Sequence, residues 1–280
     1  MKKILPLILF IFSMSACSEV PYSLTDAEEY GISAEETVKK YTSKAEQGDA
    51  DAQYNLGSHY EFSDKNKNID VAIKWYEKAA SQGHIDSMNS LGALYDPLYG
   101  RKKDAKKSFY WNKKAAENGN TDSQVEIADA YEKGEVVEQN TALSVMWLSK
   151  AANAGDNFAT YQLADRYYIG DGVEQNYAKA IALYKKAAKE DNPYAKRALV
   201  NALYKDEDYI EAFKYAQEYY EPYSILTNDA QDSYILGEMY ELGRGTRQDI
   251  KKAKENYGKS CDDGWQIGCD KYRQLNEKSY

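Results

Sequence analysis

The chain predicts an all-α fold, a right-handed superhelical solenoid of paired antiparallel helices, on three observations. An alanine pair recurs at Ala79-Ala80, Ala115-Ala116, Ala151-Ala152 and Ala187-Ala188, with a step of 36 residues each time. A core aliphatic series runs Leu56, Leu91, Ile127, Leu163, Leu199 and Leu236, with steps of 35, 36, 36, 36 and 37. Within each period the apolar residues keep helical spacing. A repeat of this length marks helix pairs that cannot bury their own faces and must stack on their neighbours.

The chain begins with Lys2 and Lys3, followed by an apolar run from Ile4 to Phe12. That run is too short to span a bilayer and reads as the central region of a signal peptide. Met14-Ser15-Ala16-Cys17 follows and resembles the bacterial lipobox, with Met14 where Leu is commoner. An ordinary secretion signal also ends in small residues but needs no cysteine there. The resemblance implies that residues 1–16 are a lipoprotein signal peptide and that Cys17 carries the lipid. Ser18 in place of aspartate implies sorting to the outer membrane, facing the periplasm. Acyl chains anchor a protein without spanning the membrane. Residues 17–34, with Pro21, Gly31, serines and acids, read as a lipid-anchored tether. A frayed first helix over Thr25 to Tyr30 is the alternative.

Residues 35–280 hold the repeats, about six with a C-terminal capping helix. In the first, helix A carries Ala52, Leu56 and Tyr60 at i, i+4 and i+8, one helical face. Helix B carries Ala72, Trp75, Tyr76, Ala79 and Ala80, again one face. Trp111 and Trp147 repeat Trp75, with Leu183 in the fourth place. Gly48, Gly83, Gly119 and Gly155 follow the B helices, where a C-terminal cap needs positive φ. In the fourth repeat Asp191-Asn192-Pro193 stands there, a cap residue and then Pro in the first helical turn.

The pattern A-x-x-x-L-G-x-x-Y, a loop, then A-x-x-W-Y-x-K-A-A resembles the Sel1-like repeat family, relatives of the tetratricopeptide repeat. Tyr167, Gly170, Gly172 and Val173 match the family loop, and Tyr240, Gly243 and Gly245 match it with Thr246 in place of Val. The first and second repeats lack those glycines, and the fifth is shorter. The family implies a protein-interaction scaffold. Cys261 and Cys269 resemble the paired cysteines of its cysteine-rich branch, which implies a disulfide between consecutive helices. Two buried thiols are the alternative.

Composition and motifs then bound the chemistry. The 280 residues are 43% hydrophobic and 29% charged, so a core is affordable. A net charge of −9 argues against nucleic acid as a partner. His59 and His84 are the only histidines, which excludes a histidine-built metal site. Asp64, Asn66, Asn68 and Asp70 alternate like the start of a calcium loop, but Ile69 stands where Gly is needed and Trp75 where Glu is needed. Gly170-Asp171-Gly172 is a turn without a basic neighbour. The chain has neither a G-x-S-x-G elbow nor an S-x-x-K motif. No cofactor and no catalytic residue is expected.

Binding is expected on helix A. By analogy with tetratricopeptide packing, its groove positions include Asp51, Tyr54, Asp86, Asp122, Asp129, Phe158, Tyr161, Asp165, Tyr168, Tyr194, Arg197, Tyr204 and Tyr234. Acids gather in the first three repeats and aromatics in the fourth and fifth. This composition predicts a protein or peptide partner with a basic and apolar surface. The membrane is met through the lipid alone. The expected role is an adaptor at the bacterial envelope. An immunity lipoprotein that captures a secreted toxin is the alternative, and an enzyme acting on β-lactams or peptidoglycan a further one.

Overall fold

The structure, a computed structural model, describes residues 34–63, 65–98, 100–227 and 230–277. Cys17, the signal peptide, residues 17–33 of the tether and Asp64 lie outside the described residues. Fourteen helices and no strand are found among the described residues. None of these helices is long and apolar enough to cross a membrane. The fold is the all-α arrangement of paired helices that the repeats predict. The chain divides into two compact units, with the division between Leu91 and Gly92.

The first unit holds α1 (Ala34–Glu46), α2 (Ala50–Phe62), α3 (Ile69–Ser81) and the start of α4 (Ile85–Tyr95). Asp49 caps α2 by accepting the Ala52 N–H, and Asn68 caps α3 by accepting the Val71 N–H. Asn68 is thus a helix cap, the use to which the calcium-like alternation is put. Leu56 packs with Ala45 and Ala52 beneath Val38, Tyr41, Tyr60 and Trp75. Tyr76 is wholly buried against Gly57, where an added Cβ would lie 2.7 Å from the tyrosine ring. Glycine is therefore needed at position 57 for the two helices to approach.

The second unit continues with α5 (Ala105–Glu117), α6 (Thr121–Lys133), α7 (Thr141–Asn153), α8 (Asn157–Ile169) and α9 (Tyr177–Lys189). It ends with α10 (Pro193–Lys205), α11 (Tyr209–Thr227), α12 (Ala230–Leu242), α13 (Ile250–Asp262) and α14 (Gln266–Glu277). Asp104, Asn120, Asn140, Asp156, Asn176, Asn192 and Asp249 each N-cap the helix that follows. Such caps are worth about 1 kcal/mol apiece. Ile127, Leu148 and Leu163 centre one cluster of the core, and Leu199, Leu203, Met239 and Tyr257 another.

The expected glycine caps take φ of 98°, 91°, 97° and 101° at Gly48, Gly83, Gly119 and Gly155. In the fourth repeat Asp191 itself takes φ 66°, Asn192 caps α10, and Pro193 opens it. Aspartate tolerates this left-handed region better than most residues. Cys261 on α13 and Cys269 on α14 form a disulfide.

Candidate functional site

The helix A residues singled out by sequence fall on α2 and α4 in the first unit and on α6, α8, α10 and α12 in the second. In the first unit Tyr54 is half-buried and stacks on the His84 ring at 4.8 Å. The exposed Asp51 carboxylate lies 3.3 Å from His84 Nε2. Asp86 is exposed. Just beyond, Tyr76 donates its hydroxyl to Glu61 at 2.8 Å.

In the second unit three side-chain contacts tie successive A helices into one layer. Tyr161 of α8 stacks on Tyr194 of α10, with ring centroids 5.9 Å apart. Arg197 of α10 pairs with Asp232 of α12 at 3.1 Å. Tyr204 of α10 donates to Glu238 of α12. Phe158 joins the first contact, 6.2 Å from Tyr161. Phe158 and Tyr194 remain 43% and 62% exposed, two large aromatic side chains at the start of their helices that this layer offers to solvent, with Ile169 and Leu242 exposed at the far ends of α8 and α12.

The other predicted residues are more deeply engaged than their spacing alone implies. Tyr161, Tyr168, Tyr204 and Tyr234 are half-buried. Tyr168 meets Tyr177 edge-on, and Tyr234 leans on Tyr257 and Trp265. Asp165 accepts the hydroxyl of the buried Tyr184. Burial, and then the Asp165 charge, pushes the Tyr161 hydroxyl up to about 12. Burial and the hydrogen bond to Asp165 push Tyr184 further in the same direction. Tyr257 repeats this arrangement by donating to Glu241 at 2.6 Å. Several groove acids are thus acceptors for core tyrosines, a structural role that leaves them less free to meet a partner.

Acids on α6 differ. Asp129 pairs with Lys133 four residues on, at 2.7 Å. Among the described residues no cation pairs with Asp122 or with the neighbouring Glu126. Partial desolvation, and then the charge of Asp156, raises the Asp122 carboxyl above its ordinary range. Partial desolvation, then Asp129 and Asp96, does the same for Glu126 against the opposing charge of Lys133.

Sequence reasoning missed Glu126 and also Arg166 and Arg244. Arg166 bridges Glu132 of α6 and Asp171 of the loop after α8. Arg244 donates to the Tyr204 hydroxyl. A cation three residues past a core leucine is a departure from the other repeats and was the available signal for Arg166.

Several B-helix lysines are engaged by groups within the protein. Lys78 lies over Trp75 at 3.9 Å and Lys150 over Trp147 at 3.8 Å. Where Leu183 replaces the tryptophan, Lys186 reaches back to the Ala152 carbonyl at 3.0 Å. That contact satisfies an acceptor near the end of the preceding B helix. His59 is a packing residue whose two ring nitrogens have no hydrogen-bond partner, and burial lowers its pKa. Among the described residues no group of three or more His, Cys, Asp or Glu is placed to hold a metal ion.

The Sel1 repeat matches residues 50–84, 85–120, 121–156, 157–192 and 233–265. The chain belongs to the Sel1 repeat family. A protective antigen of uropathogenic Escherichia coli with an SLR fold is similar at a TM-score of 0.68 and 26% identity, over 86% of this chain and 52% of the antigen. The chain therefore spans about half the length of that relative. A Sel1 repeat protein from Oxalobacter formigenes has a TM-score of 0.59 at 24% identity, over 89% of this chain and 72% of that one, and shows the shared fold. An uncharacterized protein of Haemophilus influenzae is 43% identical over 54 residues, 19% of this chain and 90% of that protein. The stretch between the fourth and last matches, residues 193–232, contains the short fifth repeat on α10 and α11. There the structure keeps a helix pair although the loop glycines are absent.

Proposed function

We propose that this Sel1 repeat protein is an adaptor at the bacterial envelope, anchored by a lipid on Cys17, and that it binds another protein through the helix A layer of its second unit. One observation carries the reading. Phe158 and Tyr194 stand exposed on that layer, each against the Tyr161 ring, while Lys78, Lys150 and Lys186 of the B helices are occupied with neighbouring tryptophans and a carbonyl. Rigid exposed aromatics are what interfaces use as anchors. Neighbouring acids favour a partner with a basic and apolar surface. The anchor reading is supported by Lys2, Lys3, the short apolar run and the cysteine after Ala16.

The test is affinity purification of the lipidated chain beside its Phe158→Ala/Tyr194→Ala variant from the same envelopes. One protein should be retained by the wild type and lost by the variant. Retention by both, with loss on Lys114→Glu/Lys186→Glu, would move the interface to the B helices. The identity of the bound protein separates the roles: an envelope component fits an adaptor, whereas a secreted toxin makes the chain an immunity protein. Mass spectrometry should find the mature N-terminus at Cys17 with acyl groups, and an unacylated N-terminus elsewhere would remove the anchor.

A further inference from the structure

The helix A layer carries a register as well as a composition. Asp122, Phe158 and Tyr194 occupy the same place, the second position, of α6, α8 and α10. All three are exposed. Packed helices lie about 8–10 Å apart, so the row presents a carboxylate and two aromatic rings at roughly one-helix intervals. The carboxylate end is reinforced by Glu126: Asp122 has no cation beside it among the described residues, and the Lys133 charge felt by Glu126 is already paired with Asp129. Tyr161 fixes the aromatic end by contacting both rings. An extended chain in the polyproline-II conformation advances about 3.1 Å per residue and returns its side chains to the same face every third residue. Three residues of extended chain therefore cover one helix interval.

We infer that the occupant of this face is an extended, polyproline-II segment of another protein that crosses the helices, with a lysine or arginine over Asp122 and an apolar or aromatic residue over Phe158 and over Tyr194, each three residues from the next. The inference rests on the proposed use of the helix A layer and adds the spacing that such a partner must have. Charge complementarity selects the occupant: an acidic segment would meet Asp122 and Glu126 with like charge, and a purely apolar one would leave them desolvated without a partner. The two aromatic sites set the distance over which a mismatched segment loses contact.

Fluorescence anisotropy with the full-length chain tests the register. One labelled peptide carries lysine, phenylalanine and tyrosine separated by pairs of alanines, and a second has the same composition with the three placed adjacent. The spaced peptide should bind at least tenfold more tightly. Asp122→Lys and Tyr194→Ala should each remove most of that difference, with circular dichroism unchanged because both positions are exposed. Equal binding of the two peptides, with loss on Tyr194→Ala, overturns the register and keeps the face. Equal binding untouched by either substitution overturns both. Absence of binding by either peptide overturns the register, and the purification above then decides the face on its own.

Discussion

Asp165 is the sharpest point at which a groove position turns out to support the fold. It accepts the hydroxyl of Tyr184, a side chain only 2% exposed, and it also faces Tyr161. Replacing Tyr184 by Phe removes one charge-assisted hydrogen bond from a half-buried carboxylate and leaves the ring packing in place. Such bonds contribute about 1.5–3 kcal/mol. Asp165 keeps Tyr161 and some solvent, so the lower end applies, about 1.5 kcal/mol. Asp165→Ala strands two hydroxyls and should cost more, about 2–3 kcal/mol. A repeat array does not unfold as one unit, so the measurement is native-state amide exchange along α8 and α9. A loss of about 1.4 kcal/mol is a tenfold loss of protection. The double variant should show a coupling energy of at least about 1 kcal/mol, because both single changes break the same bond. Asp122→Asn, at an exposed position of the neighbouring helix, should change protection by less than about 0.5 kcal/mol. A coupling energy near zero would falsify the tyrosine–carboxylate account and return Asp165 to the set of free binding groups.

Three further outcomes follow from the same geometry. Tyr76, Tyr161, Tyr184, Tyr204 and Tyr257 have hydroxyls whose pKa is raised above 10 in the folded state, chiefly by burial. The native state then holds more protons than the unfolded one above pH 10, so stability is full below that pH and falls as pH rises through the raised values. In a tyrosinate absorbance titration, exposed tyrosines should ionise first and these five only together with loss of helix; smooth titration of all tyrosines before helix loss would contradict the assignment. Reduction of the Cys261–Cys269 disulfide frees a nine-residue loop and should cost about 2.5 kcal/mol in the entropy model, lowering the melting temperature with most helicity kept. Gly57→Ala should destabilise the first unit by about 1–3 kcal/mol, since its Cβ meets a Tyr76 ring that is wholly buried and tethered to Glu61; an unchanged melting temperature would mean that the helices separate freely at this point.

The division between what the chain states openly and what it withholds follows the range of the interactions. Helix pairing, the B-helix caps and the place of Pro193 are local, and each is written within a few residues: a period, a glycine, an Asn-Pro step. Those features were legible, including the exception at Asp191, which takes the positive φ that glycine takes elsewhere. The fate of the groove acids was not legible. Glu61, Asp165 and Glu241 look alike with Asp122 when helix positions are read one at a time. Whether each is free depends on a tyrosine that comes from helix B, 15, 19 and 16 residues further along the chain.

That pairing does leave a trace, visible once repeats are compared column by column. Tyr76, Tyr184 and Tyr257 share one column of helix B, and each of their repeats has a carboxylate in reach on helix A. The third repeat has Leu148 in that column and the second has Asn112, so no phenol is available there. On α6 the acids at the places of Asp165 and Glu241, which are Asp129 and Glu132, pair with Lys133 and Arg166 instead. A single change in the core column, tyrosine to leucine, thus accompanies an exchange of the phenol partner of these acids for a cation. Asp122, five residues before Ile127, lies outside this exchange, and with no cation of its own it is the place on α6 where a basic partner gains most.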